Sequence, residues 1–122
     1  MKGFLLLTLA LFLFAIITPF GILWQMIRNL AEIPGYFYRL AISIDQTGNV
    51  ANEHLFNDIL VKKGGYKHGN PDETISSIVG KNKTSSHLTT LGKYLSGLLN
   101  SIEANHVEKA IEQDETTQLK NY

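Results

Sequence analysis

The chain has no cysteine among its 122 residues, which excludes a disulfide framework and any thiolate zinc site while leaving the redox compartment open. Net charge is also missing. Eleven basic residues balance eleven acidic ones, so no overall field draws the chain towards nucleic acid, and no nucleic-acid partner is expected. Neither a P-loop nor a dinucleotide fingerprint nor an HExxH pattern occurs, and His54, His68, His87 and His106 are scattered rather than paired four apart. No metal or cofactor is therefore expected. Alternation of apolar and polar residues at the period of a strand is absent too, which points to an all-α chain.

What is present is an apolar run with no charge from Gly3 to Ile27, bracketed by Lys2 and Arg28. As a helix it would span roughly 37 Å at about 1.5 Å per residue, more than the roughly 30 Å hydrocarbon core of a bilayer. About fifteen Leu, Ile and Phe side chains outweigh Thr8, Thr18 and Gln25 on the insertion scale. The run is longer than the apolar region of a signal peptide, and Thr18-Pro19-Phe20-Gly21 is a poor cleavage site. An uncleaved transmembrane anchor is expected over residues 1–33, bent at Pro19 and Gly21, with Trp24 at the lipid–water boundary. Lys2 on one side and Arg28 and Arg39 on the other, offset by Glu32, leave its orientation almost uncoded.

Pro34-Gly35 reads as a breaker, followed by an aromatic stretch, Tyr36 to Ile44, that lies at the membrane surface or opens the core of a small domain over residues 34–113. Asp45 to Lys63 reads as a helix weakened at its start by Gly48 and stopped by Gly64-Gly65. Asn70-Pro71-Asp72-Glu73 predicts a further helix start: Asn70 as N-cap, Pro71 at the first helical position, carboxylates in the first turn. That helix is expected to stop at Gly80. Ser85 or Ser86 then caps a helix whose Leu88, Leu91, Leu95, Leu98, Leu99 and Ile102 form the wall of a core. Asn105 caps a last turn or two with Val107, Ala110 and Ile111, and residues 114–122 are expected to be a flexible tail. Lys62, Lys63, Lys67, Lys81, Lys83 and Lys93 make the middle basic and Glu103, Glu108, Glu112, Asp114 and Glu115 the end acidic; spaced this way they read as solvated surface.

Catalytic readings are thin. Asp72 and Glu73 could pair as acid and base, but a helix's first turn explains them; Thr74, Ser76 and Ser77 have no base nearby in sequence. A zinc site from His106 with Asp45 or Asp72 is conceivable only if the fold assembles it. His54 and His87 read as surface residues.

Three segments together, Ile44-Asp45-Gln46, GNPDETISSIVGKNK from Gly69 to Lys83, and Leu98-Leu99-x-x-Ile102-Glu103 leading to Asn105-His106, resemble a group of small membrane proteins of tailed bacteriophages and prophages. The likeness covers Asp45 to Ile111, with Asp72 to Ser77 its most specific part. In that group an Asp commonly precedes the His and a Cys or similar residue follows it, where Asn105 and Val107 stand here. The resemblance implies a phage origin and no particular activity, and it makes Asp45, Gln46, Asp72, Glu73, Thr74, Ser76 and His106 a hydrogen-bonded cluster between short helices.

The sequence thus predicts a single-pass protein of the host inner membrane with three or four short helices beyond its anchor. Its partners would be the lipid bilayer and a protein, or a second copy of itself. A non-enzymatic role at the host envelope, in lysis control or superinfection exclusion, leads. A membrane-anchored hydrolase or metal-dependent enzyme is one alternative, and a virion or DNA-delivery component is another.

Overall fold

A computed structural model describes residues 1–111; the expected tail over 114–122 lies outside them. All the named elements are helical, and internal contacts divide the chain into two units, Met1–Arg39 and the residues from Leu40 on. The division falls inside a helix, a few residues beyond the boundary expected at 33/34.

In the first unit, α1 (Lys2–Arg28) runs unbroken through Pro19 and buries none of its 27 residues. It is long and apolar enough to cross a membrane. Arg28 stands in the last turn, where a cation opposes the helix dipole, and its guanidinium lies 6.0 Å from the centre of the Trp24 ring. The helix breaks at Asn29 and a single 3-10 turn, Leu30–Glu32, leads into α2 (Ile33–Ala51). Pro34 and Gly35 thus open a helix instead of ending one. Proline costs nothing in a first turn, because its missing N–H would have had no helical partner there.

The second unit holds the rest of α2, then α3 (Glu53–Ile59), α4 (Ile75–Thr84), α5 (Thr90–Ile102) and α6, residues 106–111. The helix expected over 45–63 is in fact the end of α2 and all of α3. Asn52 separates them, its side-chain amide donating to the Gly48 carbonyl at 3.0 Å alongside its own backbone N–H. Gly48 lies within α2.

The centre of this unit is α4, in which Ser76, Ser77, Ile78, Val79, Gly80 and Asn82 are buried. Ile78 and Val79 belong to a small core with Leu60, Leu88, Val107 and Ala110. Gly80 does not stop α4. A Cβ there would stand 2.3 Å from the Val107 carbonyl oxygen, so glycine is what lets the segment carrying Val107 lie against the helix. The turn after α4 puts Ser86 in the left-handed region, at φ 62. Neither Ser85 nor Ser86 caps α5. Thr89 does, accepting the Gly92 amide at 3.1 Å, while Leu88 lies before the helix in a lone antiparallel bridge with Val61.

The apolar residues of α5 do not all face inward. Leu95 and Leu99 pack against the core cluster, to which Leu88 ahead of the helix belongs, but Leu91, Leu98 and Ile102 stand 52%, 59% and 79% exposed. The buried side of α5 is made by Gly92 and Ser96, and a Cβ on Gly92 would come within 2.5 Å of the Leu60 carbonyl. Small residues let the backbones approach, and the large ones are turned sideways. Asn105 precedes α6 in a left-handed conformation (φ 58) that asparagine tolerates, but it is not the cap expected there: the first-turn amide of Val107 donates to Asn100 Oδ1 at 3.1 Å.

With so small a core, side-chain amides hold the irregular segments. Asn57 grips both backbone groups of His68 (2.7 and 3.2 Å), and Asn82 grips both of Tyr66 (2.8 and 2.9 Å). Each carboxamide does for a loop what a neighbouring strand would do, satisfying one N–H and one C=O.

Candidate functional site

The polar residues converge on the start of α4. Thr74 caps it, its Oγ1 accepting the Ser77 amide at 3.0 Å. A carboxylate from α2 completes the cap: Asp45 Oδ1 accepts the Ile75 amide at 3.0 Å and Oδ2 accepts the Ser76 hydroxyl at 2.9 Å. The expected cap at Asn70 and Pro71 is therefore displaced by four residues. Asn70 instead closes a turn, its Oδ1 accepting the Asp72 amide (3.0 Å) and its carbonyl the Glu73 amide (3.1 Å), with Pro71 fixing the backbone between. Asn-Pro suits a turn as well as a helix start, and the carboxylate that decides between them comes from thirty residues away.

Beyond Ser76 the bonds continue. Ser76 Oγ lies 3.2 Å from His106 Nε2, and His106 Nδ1 lies 2.8 Å from Glu103 Oε2. The partly exposed Glu103 carboxyl is held below its usual range by the hydrogen bond from His106 and then by Lys109. Ser76 has one hydrogen, directed to Asp45, so all three bonds are made together when His106 carries hydrogen on both nitrogens. The result is a polar strap: residue 103, α6, α4 and α2 joined through four side chains.

A carboxylate, an imidazole and a hydroxyl in this order are also the relay of serine hydrolases. Here Ser76 is 4% exposed and gives its hydrogen to a second carboxylate. The first-turn amides of α4, which could stabilise an oxyanion, are already taken by Asp45 and Thr74. The geometry serves cohesion better than attack on a carbonyl.

The other expected members take separate roles. Gln46 donates to the Asp72 carbonyl at 3.4 Å, a long bond, and the Asp72 side chain is outside the strap. Glu73 pairs with Lys81, whose ammonium lies 5.8 Å from the centre of the Tyr66 ring. Among the described residues, no group of three His, Asp or Glu side chains is placed to hold a metal ion. A half-open cleft of about 490 Å³ lies elsewhere, lined by Glu53, His54 and Asp58 as well as Lys62, Lys63 and Lys67.

Two participants escape a reading of the sequence. Asn49 is wholly buried, its amide donating to the carbonyls of Asn70 (2.9 Å) and Glu73 (3.0 Å) and its Oδ1 standing 2.7 Å from His68 Nδ1. That network places the His68 hydrogen on Nδ1; Nε2 is buried and has no hydrogen-bond partner among the described residues. Burial lowers the pKa of His68 to about 4. The four-residue spacing of Asp45 and Asn49 on one helix face was the available signal for Asn49, and Glu103 at three residues from His106 was that for the strap's outer end. No family model, curated protein or solved structure matches this chain.

Proposed function

We propose that this chain is a phage-type, single-pass protein of the host inner membrane, acting at the envelope in lysis control or superinfection exclusion through contacts of its helical domain. The observation that carries the reading is α1, 27 residues long with none buried, so its apolar surface calls for a cover outside the protein's own core. The polar strap supports a non-enzymatic role, since its hydroxyl and amides are engaged with one another. The test is alkaline extraction of membranes from cells expressing the chain. Retention with the lipid is expected; release into the supernatant, or a mature amino terminus beyond Pro19, would contradict it.

The Glu103–His106–Ser76 relay favours a second reading, a membrane-anchored serine hydrolase. A fluorophosphonate probe distinguishes the two. Covalent labelling of Ser76 that is lost in His106→Ala would support the hydrolase, and no labelling at Ser76 is what the contact role predicts.

A further inference from the structure

We propose that the half-open cleft beside α3 binds a small zwitterion, a molecule with a primary ammonium at one end and a carboxylate or phosphate at the other. That is the chemistry of a short peptide and of a phosphoethanolamine headgroup. The cleft measures about 490 Å³, within the roughly 300–1,000 Å³ range of small-molecule sites. One wall is α3, with the carboxylates of Glu53 and Asp58, and the other is the segment 61–67, with Lys62, Lys63 and Lys67. Both walls are fixed. The Lys62 amide donates to the His87 carbonyl at 2.7 Å and the Gly65 amide to the Lys62 carbonyl at 3.0 Å, while Asn82 holds Tyr66. Asn57 lines the cleft from α3 and grips His68 just beyond the segment, so it joins the two walls directly. Glu53 is placed by a glycine: a Cβ on Gly69 would stand 2.5 Å from its carboxyl carbon, and the missing side chain leaves room for the carboxylate there.

What the cleft leaves over is charge. Among the described residues, none of Glu53, Asp58, Lys62, Lys63 and Lys67 forms an ion pair or a side-chain hydrogen bond. Three cations and two carboxylates thus line one recess without neutralising each other, whereas Lys81, Lys83 and Lys109 of the same domain each find a carboxylate. A plain anion would meet the two carboxylates, and a plain cation would meet the three lysines. Nor are the carboxylates and His54 grouped to hold a metal ion. A molecule carrying both charges satisfies both walls, in a recess where water screens them less than on an open surface. The proposal does not depend on α1 lying in lipid.

The test titrates the full chain, in an uncharged maltoside detergent, with triglycine and with glycerophosphoethanolamine, and reads the amide chemical shifts. Saturable shifts confined to α3 and the segment 61–67 are expected with at least one of them, and the tighter of the two names the source. Removing one charge from the probe, as in N-acetyl-triglycine or triglycine amide, is expected to weaken binding about tenfold or more, because a hydrogen bond to a charged group is lost. The same loss is expected in Lys63→Gln and in Asp58→Asn, whose exposed side chains leave the shifts of α4 and α5 unchanged. Neither probe binding at millimolar concentration would overturn the proposal. Inorganic phosphate or N-acetyl-triglycine binding as well as triglycine would make the cleft a plain anion site and overturn it as well. Undiminished affinity in both variants would place the zwitterion elsewhere, with the same result.

Discussion

Among the described residues, the most apolar helix of this protein buries none of its side chains, and a helix rich in polar residues is its most buried. In α1 none of 27 residues is covered, whereas α4, with two serines, an asparagine, two lysines and a threonine among its ten residues, has six of them buried. Hydropathy alone would have placed them the other way round. The difference teaches that burial is decided by partners. Alpha4 can be enclosed because Thr74 and Asp45 satisfy its first amides, Asp45 accepts from Ser76, Asn82 is paired with Tyr66, and Gly80 admits a neighbouring backbone. Alpha1 offers no such groups and needs only an apolar surrounding.

The comparison is broken most forcefully by putting a charge where no partner exists. Leu13→Lys in α1 is expected to cost about 2.5–3.5 kcal/mol of insertion free energy, read as a fall in the membrane-bound fraction. An unchanged fraction would show that α1 does not lie in lipid.

Titration of His68 probes the polar interior almost as strongly. Its pKa falls from 6.5 to about 4 because burial disfavours the charged form. The unfolded chain therefore binds the proton more readily, and stability is full above pH 6.5 and declines as the pH falls towards 4, by about 3 kcal/mol in all. Denaturant midpoints across that range should show the decline, and His68→Gln should flatten it.

Asp45→Ala leaves the Ile75 amide without its acceptor and is expected to cost about 1–3 kcal/mol of domain stability. His106→Ala should cost less, about 0.5–1.5 kcal/mol, because His106 is partly exposed and Ser76 keeps its bond to Asp45. Equal losses would mean that the strap acts as a single unit. The smallest contrast separates the two candidate caps: Thr74→Ala should cost about 0.5–2 kcal/mol, and Asn70→Ala less, since Asn70 closes only an exposed turn. The reverse order would move the start of α4 back to residue 71.

These contrasts also mark what could be read from the sequence. An all-helical chain with one long apolar helix at its start was legible, because uninterrupted hydrophobicity and helical periodicity are local properties. The positions of Asp45, Ser76 and His106 in one hydrogen-bonded chain rest on contacts thirty residues apart, which no local pattern encodes. Helix ends depend on distant residues in the same way. Gly80 and Pro34 are punctuation in isolation, but Val107 makes glycine necessary inside α4, and a first turn makes proline acceptable in α2. The leucines of α5 looked alike in sequence; Gly92 and Ser96 decide which of them face the core.

The claim at the centre of the account is that α1 and α4 are covered by different media, lipid for one and protein for the other. A lipid-soluble carbene reagent, photolysed in vesicles containing the full chain and mapped by mass spectrometry, tests it directly. The account predicts insertion into the side chains of α1 and none into α4. Label on α4 at the level of α1, or an α1 that takes up no label, would contradict it.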